Sequence, residues 1–176
     1  QKSYSNTVTR LLYDYFSPER QEQILRNHSD YKTRLPFPHM ISSAVLPLSI
    51  LSLVEEEIPD NPELNEEGCL KHGQICFRGT TEWYKNAIDD DSKYGPTTMA
   101  VFSFFRSSVF TRFLERLTGI LDLIPDPEYH GSGIHQTLSG GYLDVHADFN
   151  RLLRYDLHRR VNVLLYLNPD WEESYG

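Results

Sequence analysis

Cysteine is scarce in this chain: Cys69 and Cys76 are the two that its 176 residues contain. Their spacing fits no usual zinc pattern, and two thiols do not make a disulfide framework, which excludes the disulfide-stapled class. Two free thiols in a reducing compartment are the expectation, with a single disulfide as the alternative. Long apolar runs are also missing. No stretch approaches the ~20 residues of a membrane span, and the start, Gln1-Lys2-Ser3-Tyr4, lacks the apolar region of a signal peptide. Positive charge is scarce, with 17 Lys and Arg against 25 Asp and Glu and a formal net charge of −8. Phosphate backbones are bound through clustered cations, so nucleic acid is not an expected partner. A membrane is not expected either, and the cytoplasm is the expected compartment. Asn27-His28-Ser29 is a formal glycosylation sequon, but nothing else in the chain points to secretion.

What is present suffices for one globular domain with a real core, since 39% of the residues are hydrophobic and 12% aromatic. Residues 6–28 read as short amphipathic helices, with Val8, Leu11, Leu12 and Tyr15 at helical spacing. Ser17-Pro18-Glu19 looks like an N-cap followed by proline at the first helical position. Pro36-Phe37-Pro38-His39-Met40-Ile41 reads as an extended strand, and Leu46-Pro47 opens a helix that runs to about Glu57 and is stopped by Pro59. Residues 59–72 read as an acidic surface loop and residues 73–78 as a short strand. Asp89-Asp90-Asp91-Ser92 lacks the alternating oxygen spacing of an EF-hand and reads as a solvated loop. Residues 96–118 supply two aromatic-rich helices carrying Phe102, Phe104, Phe105, Phe110, Phe113, Leu114 and Leu117, expected on the outer face of a sheet, with Gly119 as the C-terminal stop. From Leu123 the period becomes alternating. Ile134–Leu138, Tyr142–His146 and Val161–Leu167 are the expected strands, the first two joined by a hairpin turn at Ser139-Gly140-Gly141.

The segment from Gly140 to Asn150 carries the chemistry. His146 and Asp148 stand two residues apart on what reads as a strand, so their side chains project from one face, together with Tyr142 and Asp144. An imidazole nitrogen and a carboxylate oxygen held together form two thirds of the 2-His-1-carboxylate set that binds non-haem Fe(II). A lone His-x-Asp is common by chance and mostly lies on surfaces, so the surrounding pattern decides. Downstream, the β-forming run from Arg159 to Leu167 is closed by an Asn168-Pro169-Asp170 turn before Trp171. The basic residues between Arg151 and Arg160 read either as a charged loop or as a patch that steers an anionic co-substrate.

Gly-Gly-Tyr-x-x-x-His-x-Asp-Phe-Asn followed by Arg-Arg-x-Asn-x-Leu-x-Tyr-Leu-Asn-x-Asp-Trp resembles the Fe(II)/2-oxoglutarate-dependent dioxygenases, particularly their prolyl-4-hydroxylase-like branch. The likeness covers residues 140–176 closely and extends loosely to Gly133-Ile134-His135-Gln136 and to Pro36–His39. It implies an α+β fold in which N-terminal helices (residues 1–122) buttress a double-stranded β-helix, or jelly-roll, core whose first part is 123–176, all in a single domain. It also implies His146 and Asp148 as iron ligands, and Tyr166, with Asn162 and Leu164 on the same strand face, as contacts of 2-oxoglutarate. Tyr142 is a further co-substrate, substrate or supporting residue. His135 precedes the carboxylate rather than following it, so a supporting or packing role is expected. His130 and His158 are expected to be exposed.

Members of that family carry a second histidine ligand on a later strand, and beyond it an Arg or Lys that pairs with the far carboxylate of 2-oxoglutarate. Ten residues follow Tyr166 here, and none is His, Arg or Lys. The resemblance therefore implies that the core is incomplete in these residues and that a parent chain continues. The implied activity is that of a parent chain that continues: hydroxylation of a prolyl or other amino-acid-type substrate, using O2 and 2-oxoglutarate and releasing succinate and CO2; residues 1–176 alone are expected to be inactive. A truncated, catalytically inert jelly roll serving as a binding module is the alternative. An unpaired strand edge would favour a homo-oligomer. Metal binding needs neutral His146 and ionised Asp148, so affinity is expected to fall as pH drops through the imidazole range.

Overall fold

The structure is a computed structural model and describes residues 2–58, 75–77, 82–126, 128 and 132–175. It is mixed α and β, with five α-helices and small, open antiparallel sheets among the described residues. By contacts the chain forms two compact units. One comprises residues 1–58, 96–123 and 161–176, and the other 59–95 and 124–160.

The first unit is helical. Helix α1 spans Lys2–Tyr15 and α2 spans Pro18–Asn27. The Ser17 hydroxyl accepts from the Arg20 N–H and Pro18 opens α2, the arrangement that the Ser-Pro-Glu triplet predicts. Helix α3 covers Leu48–Glu56, α4 Pro96–Phe105 and α5 Ser108–Thr118. Ser107 caps α5 through the Phe110 N–H, and Gly119 ends it at φ 75°, a left-handed conformation that suits a residue without Cβ. The core draws Val8, Leu12, Phe16, Ile24, Leu46, Ile50, Val54, Phe104, Phe110, Phe113 and Leu117 into one cluster. Phe16 stands edge-on to Phe104 and Phe113, with ring centroids 5.4 and 5.0 Å away. The aromatic helices were expected against a sheet; instead they bury their rings against α1, because the apolar stripes of α1, α2 and α5 face the same interior.

The Glu57 carboxylate, 40 residues upstream of Thr97, caps α4. It accepts from the Thr97 N–H at 2.7 Å, the Thr98 N–H at 2.8 Å and the Thr98 hydroxyl at 2.7 Å, satisfying donors that the first helical turn leaves without partners. Residues 34–41 form bends and irregular backbone rather than the expected strand. Pro36 and Pro38 have no N–H to give a ladder, which removes alternate hydrogen bonds.

In the second unit, β1 (Ile75–Phe77), β2 (Glu82–Ile88) and β3 (Ile134–Leu143) make a three-stranded antiparallel sheet in the order β1-β2-β3. Strand β1 falls within the expected 73–78 segment, the rest of which lies outside the described residues. The sequence reading had no strand at β2. The expected hairpin at Ser139-Gly140-Gly141 is not formed either. Strand β3 runs straight through these residues, pairing Ile88↔Ile134 through Lys85↔Thr137 and then Trp83↔Tyr142 and Glu82↔Leu143. Residues 138–141 thus bulge opposite Tyr84. Gly140 has φ 78°, and a Cβ on Gly141 would lie 2.8 Å from the Trp83 carbonyl oxygen, so the glycines allow a close-packed bulge instead of a chain reversal. A second, two-stranded sheet pairs β4 (Arg151–Leu152) with β5 (Leu157–His158).

The expected strand over Val161–Leu167 carries no ladder. A β-forming sequence becomes a strand only where a neighbour supplies hydrogen bonds, and no described strand pairs with this run. The alternation survives as exposure: Leu164 is 67% and Tyr166 79% exposed, against 43% for Val163 and 37% for Leu165. Leu167 packs on the helical core. Among the described residues no helix is long and apolar enough to cross a membrane.

Candidate functional site

Strand β3 ends at Leu143, whose partner Glu82 is the first residue of β2, so Asp144 and the residues after it leave the ladder. His146 and Asp148 therefore lie on irregular backbone rather than on the expected strand continuing through His146. Their side chains nevertheless meet, with His146 Nε2 3.5 Å from Asp148 Oδ1. His146 Nδ1 lies 2.7 Å from the Asp144 carbonyl oxygen. A carbonyl can only accept, so Nδ1 carries the hydrogen and, in the neutral ring, Nε2 presents its lone pair. Two acceptor atoms then face each other across 3.5 Å, a juxtaposition that favours a cation between them.

The loop holding this pair is closed by the β4–β5 hairpin. Arg151 pairs with His158 and Leu152 with Leu157 across the ladder, and the Arg159 N–H donates to the Asn150 carbonyl at 2.9 Å. Asp156 turns the chain at φ 54°, and its carboxylate binds the Arg151 guanidinium. Arg159 is thereby returned to Asp148, with its Nη2 3.3 Å from Oδ2 and its guanidinium 4.7 Å from the centre of the Phe149 ring. Part of the basic Arg151–Arg160 stretch is thus engaged by carboxylates of its own loop. Arg154 and the Tyr155 hydroxyl both bind Glu128, and donation to that carboxylate pushes the Tyr155 phenol pKa up.

His135 lies on β3 opposite Ala87. The residue remains exposed overall, yet desolvation of its ring, followed by the charge of Lys85, lowers its pKa below the ordinary 6.5. The Asp148 carboxylate acts in the opposite direction, so His135 feels the candidate site electrostatically. Lys85 is itself buried and donates to Glu82 Oε1 at 2.9 Å. Asn86 and Gln136 are cross-strand partners, and Asn86 is 0% exposed. The Asn86 amide atoms and Gln136 Oε1 make no hydrogen bond, a cost of about 1–3 kcal/mol for each unsatisfied group. Of these β2–β3 residues, the sequence alone singles out His135 and, within the loose family likeness, Gln136, but not Glu82, Lys85 or Asn86. The signal available was an amide on each strand of an otherwise β-forming pair.

Of the other expected site residues, Tyr142 is exposed in the second unit, on β3 opposite Trp83. Asn162, Leu164 and Tyr166 are exposed residues of the first unit. His158 is exposed, and His130 lies outside the described residues. Among the described residues, no group of three His, Cys, Asp or Glu side chains is gathered for a metal ion. The described site is therefore a two-donor pair. No family model, curated protein or solved structure matches the chain.

Proposed function

We propose that this chain belongs to an Fe(II)- and 2-oxoglutarate-dependent hydroxylase of the prolyl-4-hydroxylase-like type, with His146 and Asp148 as two of the metal ligands. The observation that carries the reading is the approach of His146 Nε2 to within 3.5 Å of Asp148 Oδ1, with Nδ1 2.7 Å from the Asp144 carbonyl oxygen. Two donors at that separation can both reach an ion at about 2.1 Å, and an imidazole–carboxylate set suits iron better than calcium or magnesium. The third protein ligand lies outside the described cluster. Bound Fe(II), with 2-oxoglutarate and O2, supplies the oxidising power to hydroxylate a C–H bond. Within the second unit, the Asp144 carbonyl holds the imidazole and Arg159 lies beside the carboxylate; by the family resemblance, Asn162, Leu164 and Tyr166 would contact 2-oxoglutarate, with Tyr142 as a further co-substrate or substrate contact. The finer fold reading, a jelly-roll core, belongs to this proposal, and in it the Val161–Leu167 run would be a laddered strand. The substrate class is a prolyl or other amino-acid-type residue.

The test is anaerobic titration of the chain with Fe(II) and 2-oxoglutarate, followed by the metal-to-ligand absorption band and by succinate formation in air. His146→Ala and Asp148→Ala should each remove whatever band and turnover the chain shows. Signals that survive both substitutions would contradict the ligand assignment. The second reading, an interaction module without catalysis, is favoured by the exposed apolar run through Leu164, Tyr166 and Trp171. It expects concentration-dependent association and no His146-dependent metal signal.

A further inference from the structure

We propose that Arg159 determines which divalent cation the His146–Asp148 pair accepts, by holding one carboxylate oxygen of Asp148 and leaving the other on the imidazole side. This rests on the reading of His146 and Asp148 as metal ligands. The two oxygens of Asp148 have different neighbours: Oδ2 is 3.3 Å from Arg159 Nη2, and Oδ1 is 3.5 Å from His146 Nε2. The position of Arg159 is set on both main chain and side chain: its backbone N–H closes the hairpin on Asn150, its guanidinium lies 4.7 Å from the centre of the Phe149 ring, and its side chain is the less exposed member of the pair, at 23% against 46% for Asp148. A guanidinium in this position puts its charge beside one oxygen of the carboxylate rather than evenly between the two.

The consequence follows from coordination chemistry. Calcium gathers six to eight oxygen ligands and often takes both oxygens of one carboxylate, whereas smaller transition ions are satisfied by one carboxylate oxygen and an imidazole nitrogen. With Oδ2 facing Arg159 and Oδ1 facing the imidazole, the two-oxygen coordination that calcium often takes is disfavoured, while the single oxygen that a transition ion needs stays on the imidazole side. The guanidinium charge also repels every divalent cation alike. Absolute affinities therefore mix two effects, and the ratio of affinities isolates the one proposed here.

The experiment titrates the full chain with Co(II), reads the visible absorption of the bound ion, and then displaces it with Ca(II). In Arg159→Met, calcium should compete about tenfold better relative to cobalt than in the unaltered chain, in line with the size of ligand-support effects. Arg159→Lys, which keeps a cation at Oδ2, should hold the ratio within about threefold of the original. Its circular dichroism shows whether the hairpin survives substitution, which the backbone hydrogen bond from residue 159 favours. An unchanged ratio in Arg159→Met, with the cobalt band still abolished by His146→Ala, overturns the inference and leaves the ligand reading standing. A lysine variant that behaves like the methionine one places the effect in the lost Phe149 contact and also overturns it. A cobalt band indifferent to His146→Ala removes the ligand reading, and this inference with it.

Discussion

The aromatic cluster of the helical unit and the His146 loop of the sheet unit are built on opposite plans. Phe16, Phe104, Phe110 and Phe113 are each at most 3% exposed, and their rings contact one another. Val145 is fully exposed beside His146, and the loop is held by a hairpin, one backbone hydrogen bond and the Arg159 contacts. The first region draws stability from area removed from water, where many contacts share the load. The second holds a few polar atoms in place while leaving them accessible. Substitutions in the two regions should therefore differ in kind as well as in size.

The largest contrast comes from truncating the core. Phe113→Ala should destabilise the chain by about 3–5 kcal/mol in urea denaturation, whereas His146→Ala should stay within about 0.5 kcal/mol. Equal losses would mean that the loop carries stability the contact pattern does not show.

Next in size is the Glu57 cap, a polar contact within the apolar region. Partial burial pushes its carboxyl pKa up, but hydrogen bonds from Thr98 and Thr97 outweigh this and hold the pKa below the ordinary 4.5. Glu57→Ala should cost about 1–3 kcal/mol near neutral pH. Because the folded pKa is depressed, the unfolded chain takes up the proton first. The contribution is then complete above 4.5 and is lost as pH falls through the folded value. Denaturation curves of Glu57→Gln should lose this part of the acid dependence, and an unaltered pH profile would place the acid sensitivity elsewhere.

The smallest effect sharpens the second region. His135 should titrate below 6.5 by NMR, and Lys85→Met should raise its midpoint without restoring the ordinary value, since desolvation is the larger cause. A full return to 6.5 would make Lys85 the main cause.

The same division governs what the sequence revealed. Helix α2 was legible because Ser17 and Pro18 act locally through a cap and a fixed φ, and Gly119 marked the end of α5 for the same reason. The His146–Asp148 encounter was also foreseen, although a loop and a hairpin achieve it rather than strand alternation. Strand β2 was not legible, because buried Lys85 and Asn86 break its apolar pattern and their burial is fixed by the tertiary structure. Gly140-Gly141 signalled a positive φ and a close approach, but a bulge and a hairpin ask the same of glycine, and only the partner strand decides between them. Val161–Leu167 shows the converse: its β-forming residues point to a strand, but pairing depends on a neighbour that sequence pattern does not supply, and no ladder forms there.

The central claim is that His146 Nε2 and Asp148 Oδ1 together receive a divalent metal ion. Adding substoichiometric Mn(II) to the isotopically labelled chain and recording side-chain NMR spectra tests it most directly. The account predicts that the His146 ring and Asp148 carboxyl signals broaden first, with Arg159 close behind, and that His146→Ala abolishes the selectivity. Broadening that begins at other carboxylates, or that is the same with and without the His146 imidazole, would contradict it.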